Sequence, residues 1–103
     1  MNYEQTVMHI ISNAGNARAK SLKAIKFARS KDFKQSDNLL AEAKESMVVA
    51  HKIQTELIQA ETRGEATAIT LLMVHAQDHL MNAMTVLDLA TEIIEDRKVN
   101  NFD

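Results

Sequence analysis

Cysteine and proline are both missing from this chain, and glycine occurs only at positions 15 and 64. Without cysteine there can be neither a disulfide framework nor a thiolate zinc site, which fits a cytoplasmic protein. Aromatic residues are scarce at 4%, and β-branched residues seldom stand side by side. What remains is rich in alanine, leucine, lysine, glutamate and methionine, all good helix formers. The expected class is all-α, as one domain spanning residues 1–103 with a modest core. No apolar run approaches the roughly 20 residues of a membrane span, and the N-terminus lacks the basic-then-apolar layout of a signal peptide.

Nor does either sign of charge prevail overall, with 12 basic and 14 acidic residues. The distribution is uneven: seven basic residues precede or include Lys34, against only Glu4 and Asp32. A basic stretch can contact nucleic acid. Here Lys23 and Lys26 fall opposite the apolar stripe of a helix, Lys20 is equally generic, and no aromatics are interleaved to stack bases. A solvated face explains them better, and no nucleic-acid partner is expected.

Hydrophobic period then supplies the elements. Val7, Ile10, Ala14, Ala17, Ser21, Ile25 and Ala28 recur at three- and four-residue steps, predicting one amphipathic helix over residues 3–29. "RSKD" interrupts it, and Asp32 with Gln35 forms a candidate capping box that restarts the chain. Phe33, Leu40, Ala43, Met47, Ala50, Gln54 and Leu57 form the second stripe, which fades near "ETRGE", where Gly64 supplies the break. A third helix is expected from about Ala66 to Lys98, with "VNNFD" fraying. Short connections between long helices imply an antiparallel up-down-up three-helix bundle.

The third helix differs from the others in having two apolar faces. Ile69, Leu72, Ala76, Ala83, Leu87, Ala90 and Ile94 cluster on one side. Leu71, Val74, Asp78, Met81, Thr85 and Leu89 form a second line, mostly in the alternating steps of a coiled-coil seam. A single three-helix bundle covers only the first. The second predicts a homo-oligomer with third helices packed about a common axis, or else a partner helix from another protein.

Asp78 interrupts that seam. Two carboxylates about 4 Å apart repel by about 4 kcal/mol at an effective dielectric near 20, so three such pairs cost on the order of 10 kcal/mol. Carboxylates meeting on an axis must be protonated, separated by water or bridged by a cation. A hard divalent ion such as Mg²⁺ suits oxygen ligands. The alternative is a polar residue that only sets register, and spacing does not choose between them.

His75 and His79 lie one turn apart, between the two apolar lines. A neutral imidazole at pH 7 is a nucleophile. His9 and His51, by contrast, read as hydrogen-bonded core histidines. His75-Ala-Gln-Asp78-His79 also has the outline of an inverted zinc-protease motif. The acidic residue is one methylene short, and no obvious third ligand lies downstream, only a candidate such as Glu92 or Glu95. A chain of this size also offers little cleft. Phosphoryl transfer through histidine needs no cleft, only one accessible nucleophilic ring with polar neighbours.

"LLMVHAQDHLMNAMT", with "IISNAGNARAKSLKAI" in the first helix and "AHKIQTELIQAE" in the second, closely resembles the lactose/cellobiose-type enzyme IIA of the phosphoenolpyruvate-dependent sugar phosphotransferase system (PTS). The resemblance implies a subunit that forms a homotrimer around its third helices. It also implies that His75 is the phosphorylated residue and His79 its active-site neighbour. Asp78 corresponds to the aspartate that meets its symmetry mates at a central metal ion. Phospho-HPr would be the donor and the cysteine of enzyme IIB the acceptor, with membrane-embedded enzyme IIC moving a β-linked disaccharide. A non-enzymatic helical adaptor, its histidines structural, is the rival from another functional class.

Overall fold

Three side chains set where helices begin in the computed structural model, which describes residues 2–100. Asn2 opens α1 (Tyr3–Arg29) with a reciprocal capping box: its side chain accepts the Gln5 N–H at 2.8 Å, and Gln5 Oε1 accepts the Asn2 N–H at 3.1 Å. Asp32 opens α2 (Phe33–Thr62) by accepting the Gln35 N–H at 3.2 Å. The expected box forms only by half. The Asp32 N–H already donates to Phe27 O at 2.9 Å, leaving nothing for the Gln35 side chain to accept. Thr70 opens α3 (Leu71–Val99), its hydroxyl accepting the Met73 N–H at 3.1 Å.

α3 therefore starts at Leu71 rather than near Ala66. Tyr3 of α1 fixes this boundary. Its hydroxyl donates to Ala68 O at 2.9 Å and lies 2.7 Å from Thr70 Oγ1, holding residues 65–70 outside the helix. The connection from α2 is correspondingly longer than the sequence suggested. At the other end, Val99 is still helical and Asn100 caps, so that part of the expected fraying is absent. The rest of that expectation, residues 101–103, lies outside the described residues.

Both inter-helix turns close the same way. After α1, Lys31 N–H donates to Ala28 O at 3.0 Å and Asp32 N–H to Phe27 O at 2.9 Å. After α2, Gly64 N–H donates to Glu61 O at 3.0 Å and Glu65 N–H to Ala60 O at 2.9 Å. This paired pattern places the residue after the cap in the left-handed region. Gly64 has φ of 83° there and Lys31 has φ of 64°. The first turn thus carries a side chain where glycine is the easier residue.

α1 and α2 run antiparallel, joined by Asn16 to Ser46 at 2.6 Å and Lys20 to Glu42 at 3.1 Å. α2 and α3 are antiparallel too, with Gln54 Nε2 donating to Gln77 Oε1 at 2.7 Å and Lys98 pairing with Asp37 at 2.8 Å. The hydrogen bond to Asp37 raises the Lys98 pKa above its ordinary value. α1 and α3 run parallel, tied by Tyr3 at one end and by Arg97 donating to Arg29 O at 3.3 Å at the other. The result is an up-down-up three-helix bundle measuring 56 × 21 × 19 Å, without strands among the described residues.

The core is a heptad-like seam on each helix. α1 contributes Val7, Ile10, Ala14, Ala17, Ser21, Ala24 and Ala28, so Ala24 replaces the expected Ile25, which is half-buried. α3 contributes Met73, Ala76, Leu80, Ala83, Leu87, Ala90 and Ile94. The alanines keep the helices close, while Ile10, Leu80 and Ile94 are fully buried and each stabilises by about 1.5–3 kcal/mol. Ser36 reaches across to donate to Ala24 O at 2.9 Å, satisfying a buried hydroxyl. Among the described residues, no helix is long and apolar enough to cross a membrane.

Candidate functional site

Turning α3 at about 100° per residue sets the Leu71–Val74–Asp78–Met81 line roughly opposite the core seam. Its apolar members are uncovered in the single chain: Leu71 is 85% exposed, Val74 51% and Met81 50%. Asp78 is exposed among them, in a shallow cleft with Val74, Gln77 and Met81. Two residues expected on the first apolar line fail to reach the core. Ile69 lies before the Thr70 cap and is exposed, and Leu72, in the first turn of α3, is 41% exposed. Met73 and Leu80 take their places.

His75 and His79 sit on the flank between these faces. Their rings stack with centroids 5.8 Å apart and planes 13° off parallel, as the i, i+4 spacing permits. His75 is exposed and His79 half-buried. Among the described residues, neither ring nitrogen of either side chain is engaged in a hydrogen bond or ion pair. The exposed His75 ring is thus available to an incoming group, and the ring pair is held by packing.

Part of that packing was invisible in the sequence. Gly15 lies in the interior of α1, where glycine costs about 0.5–1 kcal/mol relative to alanine. A Cβ there would lie 3.3 Å from His79 Nε2. Gln77, inside the His75–His79 turn, was likewise passed over. Its Oε1 accepts from Gln54, and its Nε2 contacts Met73 Sδ at 3.5 Å, so its amide is anchored toward α2 and away from the rings. A polar residue at Gln54, on an otherwise apolar stripe, was the signal available for that contact.

Other histidines and charges do not join the site. His9 and His51 are both exposed, contrary to the expected core role. Each sits one residue off its helix's buried line, next to Ile10 and Ala50, and about 100° per residue carries it outward. Glu92 and Glu95 are more than three turns beyond His79, on the order of 20 Å along the axis. Glu95 pairs with Lys98 at 3.5 Å. No group of three His, Asp or Glu able to hold a metal occurs among the described residues. The zinc-hydrolase outline thus lacks its third ligand. Lys20 is engaged by Glu42, while Lys23 and Lys26 face solvent.

The arrangement suits surface chemistry: an accessible imidazole, a second ring against it, and a neighbouring apolar face. Comparisons with known proteins agree with that class. Residues 5–98 match the model of the PTS system lactose/cellobiose-specific IIA subunit family. The lichenan-specific phosphotransferase enzyme IIA component of Bacillus subtilis is 54% identical over 92 residues, covering 89% of this chain and 84% of that one. The N,N'-diacetylchitobiose-specific EIIA component of Escherichia coli K12 is 37% identical over 92 residues, covering 89% and 79%. Among solved structures, the PTS cellobiose-specific enzyme IIA of Bacillus anthracis superposes with a TM-score of 0.91 at 46% identity, over 98% of this chain and 94% of that one. The IIA subunit in the solution structure of the Escherichia coli IIA(chitobiose)–HPr complex gives 0.83 at 32% identity, over 99% of both chains. This chain, a strand-free three-helix bundle over its described residues, belongs to the lactose/cellobiose-specific enzyme IIA family of the sugar phosphotransferase system.

Proposed function

We propose that the chain carries a phosphoryl group on His75, taken from phospho-HPr and passed to the cysteine of enzyme IIB. Enzyme IIC would then move a β-linked disaccharide across the membrane. The observation that carries this reading is the exposed His75 ring, its nitrogens unengaged among the described residues and its face stacked on His79. The relative solved in complex with HPr supports the same donor.

The transfers balance bond for bond. A lone pair on a neutral His75 nitrogen attacks phosphorus as the donor's P–N bond breaks, and the donor ring regains its lone pair. In the second step the IIB thiolate attacks, a P–S bond forms, and the P–N bond on His75 returns its electrons to the ring. His79 positions the acceptor ring and the incoming group without bonding to phosphorus.

The second apolar line of α3 supports a homotrimer whose third helices pack about one axis, with His75 and His79 lining the grooves between subunits. Leu71, Val74 and Met81 would lose their exposed surface there. Asp78 would then bring one carboxylate per subunit to the axis. One carboxylate on a single chain holds no ion, but three hard oxygen donors around an axis fit a divalent cation such as Mg²⁺. The cation would offset carboxylate repulsion. It takes no part in the transfers.

Incubation with phosphoenolpyruvate, enzyme I and HPr tests this function. The chain should acquire an acid-labile, alkali-stable phosphate, and His75→Gln should acquire none while remaining folded. An unlabelled wild-type chain would contradict the carrier reading and leave the same apolar face to an adaptor role.

A further inference from the structure

Gly15 satisfies none of the usual requirements for glycine. It lies well inside α1, and positive φ among the described glycines belongs to Gly64 alone. Nor does a crowded helix crossing account for it. Apart from Gly15's own neighbours along α1, the His79 Nε2 atom at 3.3 Å is the sole contact among the described residues within 4 Å of the point where a Cβ would stand. No atom of α2 and no other atom of α3 approaches that point. The space left by the absent side chain is therefore matched to one ring on one side chain.

That ring is the one stacked on His75, 5.8 Å away and within 13° of parallel. A methyl group 3.3 Å from Nε2 is tighter than ordinary van der Waals contact, so the ring would have to give by a few tenths of an ångström. The ring stacked against it belongs to the exposed His75, so any displacement of His79 alters the stack.

We infer that Gly15 is a positioning residue for the histidine pair: its missing Cβ is the space in which His79 Nε2 rests, and this keeps the His79 ring stacked on His75. The inference relies on the reading of His75 as phosphoryl acceptor for its functional consequence, though not for its geometry. Gly15 makes no contact with the transferred group. It acts through His79, which is why a residue on α1 would influence chemistry on α3.

The test compares wild type, Gly15→Ala, His79→Ala and the double variant. Two readouts are used: imidazole ¹H–¹⁵N correlation spectra, and initial rates of phosphoryl transfer from phospho-HPr. Because alanine favours the helix, Gly15→Ala should melt at the wild-type temperature or above. Its His79 ring resonances should move while those of the remote His9 and His51 stay fixed. Transfer should fall by about tenfold, less than the hundredfold that a 1 Å misplacement can cause. In the His79→Ala background the same substitution should change the rate by less than twofold, because the ring it displaces is gone. Unmoved His79 resonances would overturn the inference. So would a rate loss of equal size in both backgrounds, or a melting temperature several degrees below wild type, which would assign Gly15 to helix packing. If the wild-type chain takes up no phosphate, the carrier reading fails by itself, and the spectra still decide whether Gly15 sets the His79 ring.

Discussion

Two histidines on one helix face divide the work only if one of them forms the bond and the other holds geometry. The stack of His75 and His79 makes a specific demand on their variants. His79→Ala should still accept phosphate, at a rate lowered by about tenfold to a hundredfold, because orientation is lost while the nucleophile stays. Initial-rate labelling from phospho-HPr checks this. Complete loss of label in His79→Ala, with label retained in His75→Ala, would reverse the two roles. The placement of these side chains on α3 was readable in advance. The three- and four-residue steps of α3 separate His75 and His79 from Asp78 before any coordinates exist. His9 and His51 show the limit of that reading. Proximity to apolar residues in sequence suggested burial, but one residue of offset is about 100° of rotation and decides exposure. Gly15 was beyond reach for a different reason. Its role is a contact between α1 and α3, and no local pattern encodes which residue of one helix faces a given residue of another.

At the scale of the element, caps and breaks locate the ends of helices better than hydrophobic period does. Period alone extended α3 back to Ala66 and placed Ile69 on the core stripe. Thr70 and Tyr3 overrule it, through one hydrogen bond to Met73 and two contacts from the Tyr3 hydroxyl. Gly64 correctly marked the end of α2, whereas the matching turn after α1 uses Lys31 and carries no glycine signal. The two glycines respond oppositely to the same substitution. Gly64→Ala forces a Cβ into the left-handed region at φ of 83° and should cost about 1 kcal/mol. Gly15→Ala leaves helical backbone unstrained and should cost nothing in stability. Thermal or urea unfolding of both variants measures the contrast. A Gly64→Ala chain as stable as wild type would show that the Ala60 and Glu61 carbonyl contacts do not hold that turn in its present form.

For the whole molecule, the defining feature is a helix with apolar residues on opposite sides and only one bundle to cover them. The bundle was legible because each core line keeps its heptad-like rhythm. The second line was legible as well, and the single chain leaves it uncovered. If third helices meet about a threefold axis and a cation bridges the Asp78 carboxylates, Asp78→Leu should keep the trimer intact. Replacing buried charge with a packed hydrophobe is often neutral or stabilising by about 1–4 kcal/mol. The variant should therefore be a trimer at least as stable as wild type and indifferent to chelator, whereas the wild type loosens when metal is stripped. Sedimentation and thermal unfolding with and without EDTA distinguish these. A monomeric Asp78→Leu, or a wild type unaffected by chelator at neutral pH, would favour an aspartate that only sets register. His75 should accept phosphate in either protein, since Asp78 lies on the face opposite the core and the histidines lie on its flank.

The central claim is that one imidazole receives and then surrenders the phosphoryl group. It is tested most directly by charging the protein from phospho-HPr, removing the donor, and mapping the phosphate by digestion and mass spectrometry at alkaline pH. Enzyme IIB is then added to the charged protein. The expected result is one phosphate per chain on His75, lost as an equal amount appears on the IIB cysteine. Phosphate mapped to His79, or phosphate on His75 that IIB cannot discharge, would contradict it.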